Sequence, residues 1–286
     1  MPLQRKALVS QQDFQFTLGV MNMIGIIGSG IDSMIVTRAV REKMPSQDVL
    51  CFGDNLHIFP SAAFNPGEMI RNAVQNTAFL VGLGARLILI ASHTLSCIAG
   101  TAMAVENAGI PVLDIITPAV KRAVLKTRYS RIGIIGSRAV IESRLYLEKI
   151  LEHCPEARIY SASCSLLIPL IEEGWLKKPV TAMIIKKYLI PLKTRQIDTL
   201  IIASTPYTLL STVIQRKIGK QVQVIDGAEA LSETAALYLD AHQDIAAQMQ
   251  RNGKLQVMLS WPSIDLEKQA KDILNSRVTE LPRGVH

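Results

Sequence analysis

Residues 23–29 read MIGIIGS, and residues 131–137 read RIGIIGS. Each is a short apolar run that stops at Gly-Ser. A continuous apolar run bounded by glycine and small polar residues marks a strand buried on both faces. A helical apolar pattern follows each copy: Met34, Ile35, Ala39 and Val40 after the first, Ile141, Leu145, Leu147 and Ile150 after the second. Strand followed by helix is the opening of a βαβ unit, and so of a parallel sheet.

Two further landmarks recur in the same order. LILIASHTLS at Leu87–Ser96 matches LIIASTPYTLLS at Leu200–Ser211, which sets Ser92 and Ser204 112 positions apart. PVLDI at Pro111–Ile115 and QVID at Gln223–Asp226 set Asp114 and Asp226 at that same separation. One match arises easily among Ile/Val-rich strands; three in register indicate an ancestral duplication. The expected fold is α/β: two pseudo-symmetric, doubly wound lobes with mainly parallel sheets and an active-site-like cleft between them. Residues 1–22 read as an N-terminal extension, 23–118 with 228–286 as the first lobe, and 119–227 as the second. Within the extension, Phe14–Leu18 alternates as an edge strand does, and a disordered segment fits equally well. Apolar spacing predicts helices over 66–82, 117–126, 179–195, 228–250 and, amphipathic, over 261–276.

Composition narrows the functional classes. At 286 residues and 49% hydrophobic content the chain can bury a sizeable core and is too apolar for disorder. Lys and Arg total 31 against 24 Asp and Glu, a net +7. These charges are scattered, with no basic run interleaved with aromatics, so nucleic acid is not an expected partner, while anionic substrates are compatible. Cys51, Cys97, Cys154 and Cys164 form no CxxC pair and no metal-ligand spacing. Few, scattered cysteines point to a reducing compartment, and the cytoplasm is the expected location. No apolar stretch has transmembrane length and no signal peptide is read, so no membrane partner is expected.

In doubly wound sheets, ligands bind outside the carboxyl ends of the strands. Gly28-Ser29, Ser92, Ser137 and Ser204 all fall at such ends. The glycines of IGIIGSGIDS (Ile24–Ser33) do not fit GxGxxG. A tight turn fits them, and so does a small-anion nest at a helix N-terminus involving Ser29 and Gly30. Ser92-His93-Thr94 invites a hydrolase reading, but neighbours at a strand end point apart and no GxSxG is present. Thr94 and Thr205 also suit helix N-caps. Glu172-Glu173-Gly174 reads as a solvated helix end, or as a catalytic carboxylate if a partner lies nearby. Gly53-Asp54-Asn55 is turn chemistry, with Asp54 free to contact a ligand.

Taken together, IGIIGSG (24–30), FGD (52–54), LILIASHT (87–94), PVLDIITPAVKRAV (111–124), RIGIIGS (131–137), CSLLIPLIEEG (164–174), IDTLIIASTPYTLL (197–210) and VIDGAEA (224–230) resemble glutamate racemase and the wider aspartate/glutamate racemase superfamily. The resemblance spans about Ile24 to Leu239. It implies two lobes around one active site, cofactor-free inversion at an α-carbon by two cysteines on opposite faces of the substrate, and homodimers. The first family cysteine, in Cys-Asn-Thr, falls at Ser92 of Ser92-His93-Thr94. The second, in Cys-Thr-His-Tyr, falls at Ser204 of Ser204-Thr205-Pro206-Tyr207. The aspartate that assists the first falls at Gly28, the histidine that assists the second at Pro206, and a substrate-holding Pro-Tyr-Gly at Pro60-Ser61-Ala62. Ser29, Asp54, Thr94, Thr205 and Glu172 or Glu173 keep the family pattern. Cys164 matches a non-catalytic cysteine.

A thiol titrates near 8.5, whereas a serine hydroxyl lies near water at about 15–16, a gap of about 10 kcal/mol. Normal two-cysteine racemisation is therefore not expected. Ser29, Gly30, Asp54, Thr94, Ser137 and Thr205 are expected to hold a small amino acid or dicarboxylate, without cofactor or metal. The alternative is an active isomerase or related enzyme with altered residues at Ser92 and Ser204 and with His93, Glu172 or Glu173 as base. A third reading is a slow racemase drawing a thiol from Cys97.

Overall fold

The computed structural model describes residues 22–54, 65–106, 109–260 and 264–274. The N-terminal extension up to residue 21, including Phe14–Leu18, and Pro60-Ser61-Ala62 lie outside the described residues. Strands β1 (Met23–Gly28), β2 (Val49–Gly53), β3 (Ala85–Ile90), β4 (Val112–Asp114) and β9 (Leu255–Leu259) form one sheet in the order β4-β3-β1-β2-β9. Strands β5 (Arg131–Gly136), β6 (Arg158–Ser163), β7 (Thr199–Ala203) and β8 (Gln223–Asp226) form a second in the order β6-β5-β7-β8. Every pairing is parallel. Replacing β1 to β4 by β5 to β8 converts the first order into the second, so the sequence repeat is a repeat of topology.

The central strands are apolar on both faces because helices cover both. β1, β2 and β7 are buried along their whole length. A continuous core takes Ile24 and Leu87 from the first sheet and Ile132 and Ile201 from the second, joined through Val120 and Leu231. The helices Ile116–Lys126 and Gly227–Ala241 carry those last two residues and bind the lobes together. Separate clusters fill the outer face of each sheet. In the repeated IGIIG, the first glycine marks a close approach. A Cβ at Gly25 would stand 2.8 Å from Ile88 Cδ1, and one at Gly133 2.5 Å from Ile197 Cδ1.

The helices Pro66–Gly82 and Pro179–Thr194 match the apolar spacing closely. The pattern over 228–250 is two helices, Gly227–Ala241 and Gln243–Gln248, broken at His242. That over 261–276 is the helix Ile264–Leu274. The apolar pattern from Ile141 to Ile150 is also broken, because Arg144 adopts a left-handed backbone with φ 58°.

Asp114 and Asp226, the third repeated landmark, have a local cause. Asp114 Oδ1 accepts from the backbone N–H of Ile116 and of Thr117, both at 2.8 Å. Asp226 Oδ1 accepts from Ala228 at 2.8 Å and Glu229 at 3.4 Å. Each satisfies orphan donors at the start of a lobe-joining helix. Asp114→Ala and Asp226→Ala are each expected to cost about 1 kcal/mol, read as a lower urea midpoint at constant slope.

Candidate functional site

Because all strands within a sheet run parallel, their carboxyl ends gather on one side, and the elements after β1, β3, β5 and β7 meet between the lobes. Ser29 follows β1 and N-caps the helix Gly30–Lys43. Ser137 follows β5 and takes the Val140 N–H at 3.3 Å. Thr94, in the first turn of the helix His93–Glu106, places its Oγ1 3.5 Å from Ser137 Oγ across the lobe boundary. Thr205 Oγ1 donates to the carbonyl of Ala91 at 2.6 Å, again across it. The expected N-cap role of Thr94 and Thr205 is corrected by these bonds. Ser92 Oγ takes the Leu95 N–H at 3.4 Å, while Thr205 serves as a clasp between lobes.

Ser92 and Ser204 occupy equivalent strand ends, after β3 and β7, but their surroundings differ. Ser204 is 7% exposed, and its hydroxyl interacts with the phenol of Tyr207, which in turn donates to Cys164 O at 2.8 Å. Burial raises the Tyr207 pKa, so that phenol is a neutral donor. Half-buried Ser92 instead adjoins a carboxyl that the sequence reading did not single out, that of Asp32. Asp32 is 7% exposed. Ser29 Oγ donates to its Oδ2 at 2.6 Å, and its own N–H points at Ser29 Oγ at 3.4 Å. The backbone of Ser29 and the hydroxyls of Ser92 and Thr205 also act on the carboxyl. Burial outweighs them and pushes its pKa up to about 6.

Gly28 explains how the carboxyl fits. A Cβ at residue 28 would lie 3.0 Å from Asp32 Cβ and 3.1 Å from Ala91 Cβ. The side chain of Asp32, one helical turn on, fills the space that a side chain at 28 would need. The one signal for Asp32 in the sequence was Ser29-Gly30-Ile31-Asp32, the spacing of a capping box.

The other expected residues are placed as follows. His93 is 2% exposed, and its Nδ1 lies 2.8 Å from Tyr146 Oη of the other lobe. Its Nε2 has no hydrogen-bond partner among the described residues. Burial lowers its pKa to about 3, so the ring is neutral. Asp54 accepts from Asn76 Nδ2 at 2.8 Å and from Ser260 Oγ at 3.0 Å, holding the end of β2 to the segments beside it. Glu172 and Glu173 are exposed at the end of the helix Leu167–Glu172. Partial desolvation, then the charge of Glu173, raises the Glu172 pKa. Cys97 lies on the helix that begins at His93, with its sulfur 3.3 Å from Ser143 Oγ, and burial raises its pKa, which disfavours a thiolate.

Comparison with known proteins agrees with this geometry. A family model described as Asp/Glu/Hydantoin racemase matches residues 33–235. The glutamate racemase of Syntrophus aciditrophicus is 37% identical over 214 residues, 74% of this chain and 78% of that protein. The structure of a glutamate racemase isoform from Bacillus anthracis superposes with a TM-score of 0.82 over 91% of this chain and 97% of its own, at 24% identity. That of glutamate racemase from Thermus thermophilus, in complex with β-chloro-D-alanine, gives 0.77 over 92% and 96%, at 25% identity.

Proposed function

The chain belongs to the Asp/Glu/hydantoin racemase family, and we propose that it keeps the family's cleft as a binding site for a small amino acid while lacking normal two-thiol racemisation. The observation that carries this reading is the pair of hydroxyls at equivalent strand ends. Ser92 follows β3 and Ser204 follows β7. In the resemblance, these positions hold the thiols. Neither hydroxyl has a neighbour able to ionise it. A carboxyl with a pKa of about 6 and a buried phenol are both far from the basicity that a serine proton demands. The hydroxyls of Ser29, Thr94, Ser137 and Thr205 line the lobe boundary and suit hydrogen bonding to a small polar ligand. The complex of the Thermus thermophilus relative with β-chloro-D-alanine supports an amino acid as its class. The same reading expects a cytoplasmic homodimer, which light scattering would test for assembly.

The test is a racemisation assay on purified protein with D- and L-glutamate and D- and L-aspartate, followed by circular dichroism, alongside a thermal-shift screen of the same compounds. No change of optical rotation and a raised melting temperature with at least one amino acid are expected. Turnover at an ordinary enzymatic rate would overturn the reading. A second reading, an enzyme with altered residues, has Asp32 in its favour: its pKa of about 6 is nearer to neutral pH than an ordinary carboxylate's. Exchange of the α-hydrogen in heavy water without inversion would favour it.

A further inference from the structure

The net charge of +7 is scattered along the sequence but gathered in the fold. From Trp175 to Lys220 nine Lys and Arg stand against one acid, Asp198, while the other 22 basic and 23 acidic residues nearly cancel. The helices Pro179–Thr194 and Ser211–Ile218 lie in this stretch and contain no Asp or Glu. Asp198 does not answer their charge. Its carboxylate accepts from Thr127 Oγ1 at 2.6 Å and from the Arg128 N–H at 3.0 Å, in the loop before β5.

The first of these helices shows how the charge is presented. Its Ile185, Leu189 and Leu192 pack with Ile135, Leu200 and Ile202 on the outer face of the second sheet. The opposite face holds Met183 and Ile190, two turns apart and 63% and 50% exposed, with exposed Lys186 and Lys187 between them. Lys193 Nζ donates to the Lys217 carbonyl at 3.3 Å. That contact carries the surface on to exposed Arg216, on the second helix, and Lys220 just beyond it. Trp175, 43% exposed, stands before the first helix, where its carbonyl accepts from Thr181 Oγ1 at 2.6 Å. Among the described residues no ion pair engages these basic side chains.

We propose that this face docks on an anionic lipid surface, with Trp175, Met183 and Ile190 entering the interface and the lysines among the headgroups. Charge alone would fit any polyanion. The exposed apolar tips decide, because they gain from burial at an acyl boundary and nothing from a phosphate backbone or an acidic strand. Seven of the nine basic residues are lysines, which suit diffuse attraction rather than bidentate phosphate recognition. Their stems can lie along apolar surface while the charge stays in the headgroups. This is adsorption and not a span: no helix of the described residues is long and apolar enough to cross a membrane. The second sheet separates the face from the helices that join the lobes, so the proposal is independent of what the cleft binds.

Co-sedimentation of the full chain with vesicles tests this. The vesicles are phosphatidylcholine alone, or mixed in equal parts with phosphatidylglycerol, at low and high salt. Binding to the mixed vesicles alone, weakened by salt, is expected. Lys186→Gln, Lys187→Gln and Lys193→Gln together should lower it about 100-fold, about 5-fold per charge. Met183→Ser with Ile190→Ser should lower it about 10-fold, the fold of both variants being checked by circular dichroism. In a Trp261→Phe background Trp175 is the one remaining tryptophan, and its emission should shift to the blue on binding. No binding to the mixed vesicles, equal binding to both kinds, or undiminished binding by either folded variant would overturn the proposal. Tighter binding to duplex DNA or polyglutamate than to the vesicles would also overturn it, in favour of a general polyanion site. So would self-association in light scattering that the apolar variant abolishes, since a second copy would then occupy the face. The wild-type vesicle comparison and the Trp175 shift stand even if a variant fails to fold.

Discussion

Asp32→Asn is expected to stabilise the protein at pH 7, by at most about 3 kcal/mol, and to give no such gain at pH 4. The side chain titrates at about 6 in the fold against an ordinary 3.8, mainly because it is buried. Below pH 3.8 the carboxyl is protonated both in the fold and in the unfolded chain, and its contribution to stability is fully present. As pH rises towards 6 the unfolded chain ionises while the fold still holds the proton, so stability falls. Above 6 both are ionised and the penalty is constant; the gap between the two pKa values corresponds to about 3 kcal/mol. Asparagine never ionises, so variant and wild type part across this window. The gain is smaller if the amide receives the Ser29 and Ser92 hydroxyls less well than the carboxylate does. Urea unfolding at pH 4 and pH 7 measures it. An equal loss of stability at both values would show that Asp32 is a well-satisfied structural carboxylate.

The fold was legible where burial leaves a trace in the sequence. β1, β3, β5 and β7 are flanked on both sides by neighbouring strands, so their apolar runs are unbroken and the repeat survives in them. Strand β6 stands at an edge and is partly exposed, which breaks its apolar run. β9 has no counterpart in the second half, and its pairing with β2 joins segments some 200 positions apart. His242 ends a helix within a pattern that remains periodic, so periodicity alone ran through the break. At the site, Ser92 and Ser204 were legible because they terminate repeated strands. Asp32 was not. Its spacing from Ser29 already has a local explanation, the second half carries Val140 at the matching place, and its neighbour Thr205 belongs to the other lobe. The direction of the His93 ring, onto Tyr146, was likewise a tertiary fact.

On the proposed reading of the cleft as one without two-thiol racemisation, Ser92→Cys combined with Ser204→Cys is expected to create amino-acid racemisation, whereas neither single substitution does. Inversion at a carbon needs a base on one face and an acid on the other, so one thiol without its opposite number returns the proton to the side it left. Each thiol is easier to ionise than the hydroxyl it replaces by about 7 pH units. Even so, the gain is limited to what acid–base catalysis supplies, about 10²- to 10⁴-fold over either single variant. The two thiols would not be equal. One at 92 adjoins Asp32, which above pH 6 is an anion that disfavours a thiolate. One at 204 adjoins the neutral Tyr207 phenol, whose one proton goes to Cys164 O, so it meets no such anion there and gains no donor from the phenol. Gly28 and Pro206, where the resemblance sets an assisting aspartate and histidine, offer nothing further, so the restored rate should stay below that of an ordinary racemase. Loss of circular dichroism from D- and L-glutamate and D- and L-aspartate, in all four combinations of residues 92 and 204, measures it. If the double variant is as inert as the singles while still binding ligand, the missing thiols are not what separates this chain from racemisation. The obstacle then lies in how the cleft holds the α-carbon between the two strand ends.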